Sequence, residues 1–240
     1  MSYTGNVVSG GPSDQRDLPL LTIRKASVGT MANNVYLLTC ARTGAQLLID
    51  AADDPSRILS LVAEGGDGLD VIVTTHQHWD HHRALAQVVA SAIPKGPKMT
   101  ETTATTTTMT TRSLTTAAGA ADADALPVIP TRRLAQGDTL ELGDLSLDVI
   151  HLRGHTPGSV ALAYDDPRGH THLWTGDSLF PGGVGNVDGD PRRFASLLGD
   201  VQTRIFDVYD DDTWVYPGHG ADTLLGAERP HLQEWRERGW

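Results

Sequence analysis

The apolar positions of this chain fall into short runs separated by Gly, Pro, Asp and Thr, a pattern typical of strands in a mixed α/β protein. In the first half, strands are predicted over 20–23, 34–39, 45–50 and 69–75. In the second half, they are predicted over 139–142, 145–152, 159–164, 171–175 and 213–216. Helix start signals and helical spacing predict helices over 55–63, over 82–92, after Asp190-Pro191 and near 230–238.

Because strands and helices alternate in both halves, the order predicts an α/β (α+β) fold with two mixed β-sheets packed face to face and helices outside. Residues 18–240 are predicted to form one domain. Residues 1–17 are polar and contain Gly and Ser, which indicates a flexible N-terminal tail. Residues 94–120 are rich in Thr without apolar alternation, so a low-complexity surface insertion is predicted there.

Composition narrows the class of protein. Cys40 is the only cysteine, so an intramolecular disulfide is impossible and a reducing compartment is expected. The first residues lack the pattern of a signal peptide, and the chain has no apolar run long enough for a transmembrane helix. The formal net charge of −11 argues against a nucleic-acid surface, which is basic. We therefore expect a cytoplasmic protein that binds neither membrane nor nucleic acid; its oligomeric state stays open.

Six consecutive residues carry four potential metal ligands in the run His76-Gln77-His78-Trp79-Asp80-His81. Imidazole nitrogens and carboxylate oxygens are ligands that zinc prefers. The run lies between a predicted strand and a predicted helix, so a rigid scaffold can hold these side chains still. Taken alone, Asp80 is equally compatible with the N-cap of the helix that follows.

Three later residues occupy the same kind of position, since each follows a predicted strand in a turn that contains Gly. They are His155 in Gly154–Gly158, Asp177 in Thr175–Ser178 and His219 in Pro217–Gly220. Four strand ends on one rim would bring together seven ligands, which is too many for one tetrahedral zinc and suits two metals that share a carboxylate. His170 and His172, beside a turn, are expected to face solvent.

These motifs resemble those of the metallo-β-lactamase fold superfamily, and most of all its glyoxalase II-like branch, the hydroxyacylglutathione hydrolases. The resemblance implies a four-layer αββα sandwich with metals at one edge of the sheets. It implies that one metal is bound by His76, His78 and His155. It also implies that the second is bound by Asp80, His81 and His219, with Asp177 bridging. Asp50 matches a position that supports such a site by hydrogen bonding.

Three departures bear on the substrate. Asp177 stands where zinc β-lactamases of the common type carry Cys, so β-lactam hydrolysis is not expected as the main activity. The C-terminal helical region that binds glutathione in glyoxalase II is expected to be missing or replaced after His219. Asn186 stands where the family often has Arg, so an anion-binding guanidinium is absent at that position.

The chemistry expected from this ligand set is hydrolysis of a small-molecule acyl substrate. A metal-bound hydroxide would attack the acyl carbon of a thioester or a lactone, with Asp80 and Asp177 as the catalytic carboxylates. Two divalent metal ions are expected as cofactors, with Zn²⁺ preferred and Fe or Mn also compatible. The alternative is a mononuclear iron persulfide dioxygenase, which would leave Asp80, His81 and His219 idle. A nuclease and a structural metal store are further alternatives.

Overall fold

A computed structural model describes residues 3–66, 68–92 and 113–239 of the chain. The first sheet has seven strands in sequence order, and the last four run parallel to one another. These strands are β1 (Asp14–Asp17), β2 (Leu21–Val28), β3 (Asn33–Cys40), β4 (Gln46–Ile49), β5 (Val71–Thr74), β6 (Thr115–Gly119) and β7 (Arg132–Leu134). Its helices are α1 (Pro55–Gly65) and α2 (Leu85–Ser91).

The second sheet has six strands in the order β15-β14-β11-β10-β9-β8, and β11 pairs with β14 in parallel. These are β8 (Thr139–Leu142), β9 (Leu145–His151), β10 (Val160–Asp165), β11 (Thr171–Gly176), β14 (Trp214–Pro217) and β15 (Thr223–Leu224). A separate hairpin consists of β12 (Leu179–Phe180) and β13 (Gly183–Val184). The helices are α3 (Pro191–Val201), α4 (Leu225–Glu228) and α5 (Leu232–Arg238).

Three buried apolar clusters separate the layers of the fold. The central cluster takes side chains from both sheets, including Leu38, Leu162 and Trp174, so the sheets pack face to face. A second cluster joins the outer face of the first sheet to α1 and α2, and a third joins the second sheet to α3 and α5. The predicted four-layer αββα sandwich with two mixed sheets is therefore confirmed.

Helix α1 shows how local sequence fixes an element. Asp54 is its N-cap, and its carboxylate accepts a hydrogen bond from the Arg57 N–H at 3.1 Å. Pro55 follows at the first helical position, where a missing N–H costs nothing. The buried residues Ile58, Leu61 and Val62 form a stripe of helical period that packs on the first sheet.

The structure differs from the sequence prediction at the N-terminus. The prediction of a flexible tail is wrong for residues 14–17, which form β1 and pair with β2 along the edge of the first sheet. Further towards the N-terminus, the Tyr3 hydroxyl donates a 2.6 Å hydrogen bond to Asp222. The polar composition of this segment does not predict a strand. An edge strand can form from polar residues because its pairing rests on backbone hydrogen bonds and at most one of its faces is buried.

The predicted Thr-rich insertion over 94–120 is wrong at its C-terminal end, where residues 115–119 form the parallel strand β6. Small side chains are required there: a Cβ on Gly119 would lie 1.8 Å from the Gly158 carbonyl oxygen. Residues 93–112, which make up most of that prediction, lie outside the described residues.

The prediction that His172 faces solvent is wrong. The side chain is buried, and its Nδ1 pairs with the Tyr216 hydroxyl at 2.8 Å.

Candidate metal centre

The seven side chains predicted to be ligands meet at one edge of the two sheets. His76 and His78 follow the end of β5, and a 3₁₀ turn from Trp79 to His81 carries Asp80 and His81. The remaining three follow the ends of strands in the second sheet: His155 after β9, Asp177 after β11 and His219 after β14. The shared position after a strand end therefore does identify side chains that the fold brings together.

The first group of potential ligands, which we call the first half-site, consists of His76, His78 and His155, with ligand atoms all within 4.8 Å of one another. The Nε2 atoms of His76 and His155 are 3.2 Å apart. The rings of His78 and His155 meet edge to face, with centroids separated by 4.5 Å. Three imidazoles that converge in this way form a nitrogen-rich pocket suited to a borderline divalent cation.

The second group, the second half-site, consists of Asp80, His81 and His219. The Nε2 atoms of the two histidines are 3.2 Å apart. Asp80 Oδ2 lies 3.5 Å from His81 Nε2 and 3.4 Å from His219 Nε2. Donors that surround a tetrahedral zinc at normal bond lengths are separated by about 3.3 Å. The donor atoms of this half-site therefore already have the spacing of a metal coordination shell.

Asp177 lies between the two half-sites. Its Oδ1 is 3.3 Å from His81 Nε2, while its Oδ2 is 3.5 Å from His219 Nε2 and 3.9 Å from His155 Nε2. Oδ1 is buried without a hydrogen-bond partner. A buried carboxylate oxygen without a donor is costly unless a cation neutralises it. A cation at this position satisfies the oxygen, so the site fits the metal that the ligand set predicts.

Hydrogen bonds at Nδ1, the ring nitrogen that faces away from the site, orient four of the histidines. In three of them the partner is a carboxylate or a backbone carbonyl. His81 Nδ1 is 2.8 Å from Asp50 Oδ2, and His155 Nδ1 is 2.7 Å from the Asn186 carbonyl. His219 Nδ1 faces the Met31 carbonyl at 3.2 Å. Carbonyls and carboxylates accept, so each Nδ1 carries the proton and each Nε2 presents a lone pair to the site.

His76 reaches the same state through Thr75. The Thr75 hydroxyl donates to Asp50 at 2.8 Å, so it can only accept from His76 Nδ1 at 3.0 Å. Asp50 also accepts from the Thr75 N–H at 2.8 Å. This one buried carboxylate thus orients His76 in the first half-site and His81 in the second, which is the supporting role that the family resemblance implied.

The charges of the site favour a cation at the centre. Burial opposes a charged His81, but the carboxylates of Asp50 and Asp177 outweigh burial and raise its pKa to about 10, so a cation that binds Nε2 must displace a proton from it. Burial also opposes ionisation of Asp80, yet the neighbouring His219 ring and the hydrogen bond from Asn33 hold the pKa of that carboxyl well below its usual range. His76, by contrast, has a pKa well below its usual range because it is buried among other imidazoles. It is therefore a neutral ligand.

Two buried residues that contact the ligands or their loops were not identified from the sequence. Asn33 Nδ2 donates to Asp80 Oδ2 at 2.9 Å, and Asp122 holds the loops that carry His76, His78 and His155. From the sequence, Asn186 is notable only because it stands where the family often has Arg. In the structure, its backbone carbonyl accepts the hydrogen bond that orients the His155 ring. No local signal marks Asn33 or Asp122, since their partners lie 47 and 34 positions away in the chain.

Three known proteins are similar to this chain. GloC of Haemophilus influenzae, a hydroxyacylglutathione hydrolase, is 28% identical over 185 residues, which cover 76% of this chain and 83% of that protein. The hydroxyacylglutathione hydrolase of Jannaschia sp. is 33% identical over 167 residues, or 69% of this chain and 56% of that relative. The crystal structure of TTHA1623 in a di-iron-bound form superposes with a TM-score of 0.64 at 29% identity, covering 85% of this chain and 96% of that one.

The family model for the metallo-β-lactamase superfamily matches residues 28–219, which include the start of β3 and every potential ligand described above. The four layers and the convergence of these side chains at the sheet edge agree with what the family resemblance implied. The chain belongs to the metallo-β-lactamase superfamily.

Proposed function

We propose that this protein is a dinuclear metal-dependent hydrolase of small acyl compounds, with a thioester as the preferred substrate class. The observation that carries the proposal is Asp177, whose Oδ2 lies between the half-sites, 3.9 Å from His155 Nε2 of the first and 3.5 Å from His219 Nε2 of the second. A carboxylate placed in this way suits two cations held side by side. The first half-site, His76, His78 and His155, would hold one ion, and the second, Asp80, His81 and His219, would hold the other.

When bound, two divalent cations would supply an activated water at neutral pH and would polarise the carbonyl to be attacked. The residues set how strongly they do so. Asp80 and Asp177 offset only half of the charge of two such ions, so the site keeps a net positive charge that stabilises the oxyanion formed at the acyl carbon. Zn²⁺ fits the nitrogen and oxygen donors, and the di-iron-bound neighbour makes iron a second option.

The site is open enough for a substrate to reach the ligands. The side chain of His219 is 24% exposed and that of Asp177 14%, and His78 is also partly exposed, whereas His76 and His81 are buried. Structural zinc sites are closed cages, and catalytic sites keep one open position. The exposure on one side of the centre therefore supports catalysis over a structural metal store.

A thioester is the substrate class that this site needs least help to cleave. A thiolate leaves without protonation more readily than an alkoxide or an amide nitrogen, because thiols ionise near pH 8.5. The relatives named hydroxyacylglutathione hydrolase support the same class.

Within the described residues, no helix has the length and apolar character needed to cross a bilayer.

The test is to load the purified protein with Zn²⁺ or Fe²⁺ and offer S-lactoylglutathione, other acyl thioesters and lactones. We expect turnover of at least one thioester and a loss of activity in Asp177→Ala. Equal rates for the wild-type protein and Asp177→Ala on every compound would refute the proposal. Elemental analysis runs in parallel, where two metals per chain support it. One iron per chain with turnover of a persulfide would instead support the dioxygenase.

A further inference from the structure

Two buried polar side chains, Asp122 and Asn33, each join loops that carry ligands of one half-site. We propose that they are positioning residues, Asp122 for the first half-site and Asn33 for the second, so that each half-site has a positioning group of its own in addition to Asp50, which supports both. This inference rests on the proposed function, since it presumes that both half-sites bind metal.

Asp122 is fully buried and uses both carboxylate oxygens. Oδ2 accepts hydrogen bonds from the Gln77 N–H at 3.0 Å and the Thr156 hydroxyl at 2.5 Å. Oδ1 accepts from the Gly158 N–H at 2.7 Å. Gln77 stands between His76 and His78, and Thr156 follows His155. One carboxylate therefore holds together the two loops, from different sheets, that provide the three imidazoles of the first half-site.

Asn33 is also buried, at the start of β3. Its Nδ2 donates to Asp80 Oδ2 at 2.9 Å and lies 3.3 Å from His219 Nε2. Oδ2 is the Asp80 oxygen with coordination-shell spacing to His81 and His219. The amide thus selects which carboxylate oxygen enters the second half-site and holds it there.

The backbone next to Asn33 supports this arrangement. The Asn34 N–H donates to the Gly218 carbonyl at 2.7 Å, and the Asn34 amide donates to the Pro217 and Gly220 carbonyls at 2.9 and 3.0 Å. The turn that carries His219 is therefore fixed to the same strand that fixes Asp80. Asn33 sits where these two ligands meet, so loss of its amide disturbs their relative position.

The two positioning groups have separate sets of partners. The hydrogen bonds described for Asp122 go to Gln77, Thr156 and Gly158, none of them a residue of the second half-site. Those of the Asn33 side chain go to Asp80 and His219, neither of them in the first. Perturbations of distant groups without shared partners usually add independently. Loss of either group is therefore expected to weaken one metal and spare the other.

The variants are Asp122→Asn, which places an amide donor against backbone donors, and Asn33→Leu, which keeps the size but removes the donor. Thr156→Val removes a single bond to Asp122 and serves where Asp122→Asn folds poorly. Asp212→Asn and Asn6→Leu are exposed controls with the same chemical changes. His155→Ala and His219→Ala provide reference spectra for loss of the first and second half-site.

Metal-free proteins are titrated with Co²⁺, whose absorption bands report the coordination shell, and stepwise Zn²⁺ affinities are measured by chelator competition. We expect Asp122→Asn to lower the Zn²⁺ affinity of the binding step that His155→Ala loses by about 10–100-fold. We expect Asn33→Leu to lower the affinity of the step that His219→Ala loses by a similar factor. Equal weakening of both steps in either variant, or none beyond the controls, would overturn the inference. If wild-type protein binds only one Co²⁺, the two-metal function itself fails.

Discussion

Gly218, in the turn before His219, offers a sharp test of the site because it is packed directly against two ligands. A Cβ at this position would lie 2.2 Å from Asp177 Oδ1 and 2.7 Å from His81 Cε1. Its backbone is not in the left-handed region, so alanine adds no backbone strain. The substitution Gly218→Ala therefore acts through steric conflict with Asp177 and His81.

The size of the conflict sets the expected effect. Non-bonded atoms prefer separations of about 3.5 Å, so the Asp177 carboxylate or the turn must move by about 1 Å. Overpacking of this kind costs about 1–3 kcal/mol of stability. A misplacement of about 1 Å costs about 100-fold in rate, and a displaced ligand lowers metal affinity as well. We expect kcat/KM of Gly218→Ala to fall by about two orders of magnitude under saturating metal.

Gly137→Ala is the matched control away from the site. Gly137 has a φ of 82°, and a Cβ placed there would meet no atom within 4 Å, so alanine costs about 1–2 kcal/mol of backbone strain without touching a ligand. Both variants are assayed for thioester hydrolysis, Zn²⁺ content and thermal unfolding. Comparable loss of stability with loss of activity confined to Gly218→Ala supports the geometry. Wild-type activity and metal content in Gly218→Ala would refute it.

Three further outcomes follow from the structure. Asp50→Asn leaves one acceptor oxygen and an NH2 group to face the Thr75 N–H, the Thr75 hydroxyl and His81 Nδ1, so it should weaken Zn²⁺ binding by about 10–100-fold in chelator competition, and unchanged affinity would contradict its role. Burial lowers the pKa of His172 to about 3, so only the unfolded chain gains that proton as pH falls from about 6.5, and stability falls with it. Urea titrations of the metal-free proteins should therefore show that the free energy of unfolding depends less steeply on pH in His172→Gln than in wild type, by up to about 1.4 kcal/mol per pH unit. Equal slopes would exclude this effect. Gly199→Ala, on the exposed face of α3, should raise the free energy of unfolding by about 0.5–1 kcal/mol, and a decrease would contradict the open space found there.

The sequence predicts well which side chains the fold brings together at the candidate site, because the signal for them is local. A strand, a Gly-containing turn and a ligand lie within a few residues of one another, as at His155 and His219. The layers are also predictable, since strands and helices alternate along both halves of the chain. By contrast, Asn33 and Asp122 act on loops far away in the chain, and nothing in their own neighbourhoods shows which partners the fold will bring to them.

Strands with unusual composition escape prediction for a different reason. β6 is built from Thr, Ala and Gly, so no apolar run marks it, and at its end the Gly158 carbonyl leaves no space for a side chain on Gly119. β1 is a short, polar edge strand whose stability comes from pairing with β2. In both cases the requirement is set by the tertiary partner, which local propensity does not contain.

Each sheet is drawn from one contiguous half of the described chain, the first from residues 14–134 and the second from 139–224. Each half-site takes ligands from both halves, so a bound ion acts as a non-covalent crosslink between them. When the free metal concentration is about 100 times the dissociation constant, metal binding stabilises this association by about 2.7 kcal/mol per site. We therefore expect a chain cut between Leu134 and Thr139 to yield fragments whose reassembly is titrated by the metal itself.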